Sequence, residues 1–226
     1  MTKVALVVVD LQEDFLPDKG SLAVPHGRDI ITSINRLVDA RKYKWLAIIA
    51  TQDWHPADHC SFASQHGVPP YTQLEFKHPL NDNSKTMTQY VWPDHCVQES
   101  YGATLEESFL TLFNTTQDVP KKIVQKGYLK DREYYSCFQD CWKLHKTEME
   151  DYLKELNITD VVFVGLAYDF CVLNSAVDCA AAGFNTYVIK LCTKSVYPEK
   201  EADTDKLYKD AGVKQIAYDD PLFTRE

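Results

Sequence analysis

Short apolar, β-branched runs punctuate the chain at 4–9, 45–51, 122–125, 161–165, 186–191 and 214–218. They are continuous rather than alternating, which is how strands buried on both faces read. Between them, apolar residues return at helical spacing. Ile30, Ile34, Leu37 and Val38 share one face of 28–42, and Leu105, Phe109 and Leu112 one face of 104–113. Met149, Tyr152, Leu153 and Leu156 do the same in 147–156. A further helix is predicted from Phe170 to Ala182, with Asp169 as its N-cap and Gly183 placed to end it. Strands alternating with helices predict a three-layer α/β/α fold around a doubly wound, mostly parallel six-stranded sheet. With 226 residues the chain is expected to form a single domain, 1–226.

One stretch breaks this rhythm. Residues 54–99 carry prolines at 56, 69, 70, 79 and 93, five histidines and several aromatics, but no clear period. Loops of that length in a folded domain usually serve as lids or binding loops, so the segment reads as a small loop-rich excursion that closes a pocket.

Composition narrows the partners. No window approaches the ~20 apolar residues of a membrane span, and the run at 4–9 ends at once in Asp10 and Glu13 without a cleavage site, so it reads as a buried strand. A net charge of -9 with no basic stripe argues against nucleic acid and anionic membranes and favours a small-molecule substrate. Seven cysteines, odd in number and irregular in spacing, suit a reducing, intracellular setting, with the cytoplasm expected. Self-association stays open.

Open α/β sheets bind ligands beyond the carboxyl ends of their strands. Those ends carry Asp10, Asp53, Lys126 and the turn before Cys171. A free cysteine is ordinarily a small buried hydrophobe, and Cys60, Cys96, Cys137, Cys141, Cys179 and Cys192 read that way. Cys171 differs because it falls in the first turn of a helix, where the partial positive charge favours thiolate. Asp10, at the end of an apolar strand, needs a partner, and Lys126 is a candidate. The two could be an ordinary ion pair; with Cys171 they resemble a nucleophile, a base and an orienting cation. In Asp53-Trp54-His55 an extended backbone puts Asp53 and His55 on one face, where both could reach a divalent cation. A solvated acidic loop is the bland alternative, and a third ligand decides between them. His95 is the best candidate and His59 the next, while His66 and His78 have no supporting pattern. One carboxylate and two imidazoles leave positions open for water or substrate, and zinc is the first choice over iron or manganese.

Five blocks carry a family resemblance: "VVVDLQEDFLPDKGSLAVPHG", "TQDWHPADHCSF", "VWPDHCVQESYGATL", "KGYLKDREYYSCF" and "VVFVGLAYDFCVLNSA". In order and over nearly the whole chain, they resemble the nicotinamidases of the isochorismatase-like hydrolase superfamily, the fungal members most. The resemblance implies a catalytic triad of Asp10, Lys126 and Cys171 and a metal held by Asp53, His55 and His95, with His59 behind them. It also implies a cis peptide between Leu166 and Ala167, an oxyanion hole of the Ala167 and Cys171 N–H groups, and pocket walls at Phe15, Trp92, Tyr135 and Phe170. The implied reaction is deamidation of nicotinamide, with pyrazinamide as a second substrate, through a cysteine thioester in NAD salvage; the metal would hold the pyridine nitrogen. Sister reactions fit less well: isochorismate hydrolysis dispenses with the cysteine, and carbamoyl amidases lack the metal set. A non-catalytic metal or redox sensor on the same fold is the alternative from another class.

Overall fold

Val4–Val9 forms the first strand, β1, and all six of its residues are buried. A run with no polar side to offer water belongs in the middle of a sheet. In the computed structural model, which describes residues 2–39, 41–80 and 84–224, β1 pairs in parallel with β2 (Ala47–Asp53) and β6 (Asp160–Leu166). Beyond β2 lies β5 (Lys121–Lys126), and beyond β6 lie β7 (Asn185–Lys194) and β8 (Lys214–Gln215). The six-stranded sheet has the order 5-2-1-6-7-8, and its pairings are all parallel.

Successive residues of a strand point to opposite faces, so β1 feeds two cores. Val4, Leu6 and Val8 pack with Ile34 and Leu37 of α1 (Ile31–Leu37) and with Phe109 and Phe113 of α2 (Glu107–Thr115). Ala5, Val7 and Val9 pack with Leu153 of α3 (Met149–Glu155), Val172 and Ala176 of α4 (Cys171–Ala181) and Tyr208 of α5 (Glu201–Asp210). The α/β/α layering is therefore as expected from the sequence. Gly165 lets the end of β6 close on β1: its φ is +107°, and a Cβ there would lie 2.1 Å from the Val9 carbonyl oxygen.

Three local expectations need correction. The helix predicted over 28–42 is a short 3-10 turn, Gly27–Ile30, followed by the two turns of α1. α5 escaped the pattern because only Thr204 and Tyr208 of its ten residues are buried, too thin a stripe to register. The loop-rich excursion contains an antiparallel hairpin, β3 (Gln73–Lys77) and β4 (Thr86–Tyr90), paired from Gln73↔Tyr90 to Lys77↔Thr86. Its two-residue alternation is there in Leu74, Phe76 and Met87, but each strand has five residues and the flanking prolines mask it.

Candidate active site

The carboxyl ends of β1, β2, β5 and β6 deliver Asp10, Asp53, Lys126 and the turn leading to Cys171 to one place. Lys126 is at its centre and fully buried. Its Nζ lies 2.9 Å from Asp10 Oδ2, 2.5 Å from Asp53 Oδ1, 3.0 Å from the Tyr134 carbonyl oxygen and 3.4 Å from Cys171 Sγ. The contact with Asp53 is one that sequence reasoning missed. It joins the acid–thiol pair to the metal-binding candidates through a single ammonium.

Burial disfavours every charge here, and the groups answer it differently. Desolvation raises the Asp10 carboxyl above its ordinary range, and Lys126 only partly offsets this. Burial likewise opposes ionisation of Asp53, but Lys126, His55 and His95 together hold it well below the usual carboxylate range. Lys126, despite burial, is held protonated by Asp10 and Asp53. Cys171 is pushed well above an ordinary thiol by burial and by the two carboxylates, and Lys126 does not reverse this. A helix start favours thiolate; here burial and the two carboxylates oppose it, because a buried negative charge close to two others is costly.

The turn itself corrects a second expectation. Asp169 does not cap α4; the N-cap is Phe170, with no side-chain cap bond. The Asp169 carboxylate reaches across to accept the backbone N–H groups of Val196 and Tyr197 at 2.9 and 2.8 Å. That clamp ties the turn before Cys171 to the segment after β7. The Leu166–Ala167 peptide is cis. Cys171 opens α4, where helical N–H groups lack intrahelical partners, and Ala167 and Cys171 border the same cavity.

That cavity is walled by Phe15, Trp92, Tyr135 and Phe170 and has Asp53, His95 and Cys171 on its lining. Trp92 and Phe170 meet edge to face at 5.0 Å, and Trp92 Nε1 donates to the Tyr135 hydroxyl at 3.2 Å. The four aromatic candidates thus stand around the thiol. Val196 completes one wall, and Glu133 lies on it as well.

Asp53, His55 and His95 are in reach of a single cation. His55 Nε2 lies 3.5 Å and His95 Nε2 4.0 Å from Asp53 Oδ2, while Oδ1 of the same carboxylate faces Lys126. Both rings are set from behind. His55 Nδ1 donates to the Gly127 carbonyl at 2.8 Å and His95 Nδ1 to the Pro93 carbonyl at 2.7 Å, so each Nε2 is turned inward. His55 Nε2 is buried without a hydrogen-bond partner. A buried bare imidazole nitrogen facing a carboxylate and a second imidazole fits a divalent metal.

His55, His59 and Glu133 also lie within ligand distance of one another. His59, however, has both nitrogens engaged: Nδ1 with Ser61 Oγ at 2.7 Å and Nε2 donating to the Arg132 carbonyl at 3.1 Å. Burial and the neighbouring His55 push its pKa down to about 4. It therefore stands neutral behind His55, at a ring distance of 4.2 Å. His66 bonds the Cys60 carbonyl and His78 packs on Trp142, both away from the site.

Three residues of the site were not anticipated. Glu133 is buried, within ligand distance of His55 and His59. Gln12, fully buried, accepts from Asp53 N and donates to Asp53 O, both at 2.8 Å, fixing the backbone of that metal-binding candidate. Thr51 bonds Asp10. Only Glu133 had a usable signal, an acid between Arg132 and two tyrosines in a block rich in aromatics.

Known proteins share this arrangement of the chain. An isochorismatase domain matches residues 4–219. The nicotinamidase of Saccharomyces cerevisiae is 38% identical over 197 residues, 87% of this chain and 90% of the relative. The structure of the yeast nicotinamidase bound to the inhibitor nicotinaldehyde superposes with a TM-score of 0.87 at 34% identity, covering 95% of this chain and 99% of that one. A pyrazinamidase of Pyrococcus horikoshii, solved in complex with zinc, follows at a TM-score of 0.71 and 30% identity, covering 95% and 99%. Matched over nearly its whole length by the domain and by these amidases, the chain belongs to the isochorismatase family.

Proposed function

We propose that the chain hydrolyses nicotinamide to nicotinic acid and ammonia, with Cys171 as nucleophile, Asp10 as general base and Lys126 as the cation that holds them together. The observation that carries this reading is the single ammonium of Lys126, buried 2.9 Å from Asp10 Oδ2 and 3.4 Å from Cys171 Sγ, the thiol that lines an aromatic cavity. Asp10 Oδ2, ion-paired with Lys126 at 2.9 Å, is the carboxylate oxygen that takes the thiol proton. As that proton moves, Sγ attacks the carboxamide carbon, and Lys126 balances the charge on sulfur. The N–H groups of Ala167 and Cys171 receive the oxyanion, the kind of contact whose loss costs roughly 3 kcal/mol in other hydrolases. Protonated Asp10 returns the proton to the departing nitrogen, ammonia leaves, and a thioester remains. A water that loses its proton to Asp10 then attacks the thioester carbon, freeing nicotinic acid and restoring the thiol.

Phe15, Trp92, Tyr135 and Phe170 size the cavity for one six-membered aromatic ring, so pyrazinamide is a second substrate. Asp53, His55 and His95 would hold a divalent metal, zinc first among them, and when bound it supplies a positive centre for the pyridine nitrogen. The reaction would return nicotinamide to NAD synthesis in the cytoplasm. Among the described residues, no helix is long and apolar enough to cross a membrane.

The test is ammonia release from nicotinamide by zinc-loaded protein and by Cys171→Ala. Wild type is expected to turn over, and the variant to lose a factor of about 10³ or more in kcat. A fully active Cys171→Ala would remove the nucleophile. Wild-type turnover of isochorismate or a carbamoyl amide in place of nicotinamide would move the chain to a sister reaction.

A further inference from the structure

One hydroxyl holds the end of β1. Val8↔Ala50 is the last register pair between β1 and β2, and two residues later Asp10 turns to φ 45°, a region that residues with a Cβ seldom adopt. Its N–H donates to Thr51 Oγ1 at 3.1 Å, a side chain standing where a strand carbonyl would otherwise accept. The same Oγ1 lies 2.5 Å from Asp10 Oδ1. A carboxylate oxygen only accepts, so the one hydroxyl proton points at Oδ1. Thr51 is fully buried, β-branched and paired with Val124 of β5, which leaves it little freedom to turn away.

The main chain and the side chain of Asp10 are thus pinned by the same atom. Oδ1 is occupied, and the plane of the carboxylate is set. Oδ2, beside Lys126, is left as the oxygen available to the thiol.

We propose that Thr51 is a positioning residue for the general base, its hydroxyl holding Asp10 so that Oδ2 stays turned to Cys171. This rests on Asp10 being the base of the reaction above. Thr51→Val keeps the shape of the side chain and removes the hydroxyl, while Thr51→Ser keeps the hydroxyl and removes a methyl group. Thr51→Val is expected to lower kcat for nicotinamide by about 10- to 100-fold, part of what a general base supplies. KM should stay within about twofold, because ring binding does not involve Thr51. Alkylation of Cys171 by iodoacetamide, followed on the Cys171 peptide by mass spectrometry, should slow along with kcat. Thr51→Ser should restore both.

A Thr51→Val enzyme with wild-type kcat overturns the proposal. So does a loss that Thr51→Ser fails to rescue, since that marks a packing defect. If Thr51→Val does not fold, Thr51→Ala carries the same readings. Asp10→Asn separates the two levels: an active Asp10→Asn overturns the base and Thr51 together, whereas an inactive one beside a fully active Thr51→Val overturns Thr51 alone.

Discussion

Gly127→Ala is expected to loosen the proposed metal site with every proposed ligand left in the sequence. Gly127 sits just after β5 with φ +73°, and its carbonyl accepts His55 Nδ1 at 2.8 Å. A Cβ there would lie 2.4 Å from His55 Cε1 and 2.6 Å from Nδ1, where ordinary contact begins near 3.4 Å, so ring and loop must part by about 1 Å. Metal ligands tolerate only about 0.2 Å of error. Loss of the partner behind a ligating histidine typically costs 10- to 100-fold in metal affinity. The left-handed alanine adds about 1–2 kcal/mol of its own. At a few degrees per kcal/mol for a chain of this size, that lowers the melting temperature by roughly 2–8 °C. The assay is zinc affinity by competition with a chromogenic chelator, read beside a melting curve and activity at saturating zinc. The expected result is a folded protein that binds zinc about 10- to 100-fold more weakly and regains part of its activity when the metal is in excess. Gly127→Ala holding zinc as tightly as wild type would show that the Gly127–His55 contact does not set the ring.

Two more outcomes follow from the site. His59 has a folded pKa of about 4, below the ordinary 6.5 of a histidine, so its contribution is whole above pH 6.5 and declines as the unfolded chain alone takes up the proton. Metal-free protein should lose on the order of 3 kcal/mol between pH 6.5 and 4 from this group, and urea melts of His59→Gln should show a flatter slope across that window; an unchanged slope would mean that His59 is charged in the fold. Asp169→Ala leaves the N–H groups of Val196 and Tyr197 without their acceptor. It should cost about 1–3 kcal/mol in urea unfolding and raise KM for nicotinamide, since Val196 walls the cavity, and wild-type values for both would dismiss the clamp.

The sheet was legible because its strands are buried on both faces, and that burial writes continuous apolar runs such as 4–9 and 161–165. The catalytic candidates were legible for a related reason: Asp10, Asp53 and Lys126 are charges placed where an apolar run ends, and a strand end in a parallel sheet is a rim. What the sequence hid was short range or cooperative. β3 and β4 are five residues each and α5 buries two, so neither sustains a period. Asp169 looks like a helix cap in one dimension, yet its partners, Val196 and Tyr197, are on a different segment. The surroundings of Cys171 were hidden because a helix start is a local signal, whereas burial and two carboxylates from other strands act on the thiol through the fold. Thr51, Gln12 and Glu133 act on site residues distant in the chain, and no spacing rule reaches across β1, β2 and β5.

The place of β1 at the middle of the sheet governs how the protein can be made. Val4 pairs with Asp160, so the strand synthesised first waits for one made much later. A nascent chain that has emerged as far as β5 already carries Asp10, Asp53 and Lys126, but one edge of β1 is open and Cys171 has not been translated. Pairings of such long sequence separation form slowly, and an uncovered apolar edge is a template for wrong partners. Nor can the buried charges settle piecemeal, since each carboxylate answers to the same lysine. The site is therefore complete only once β6 and β7 have brought Cys171 and Val196 to the rim that β1, β2 and β5 already form.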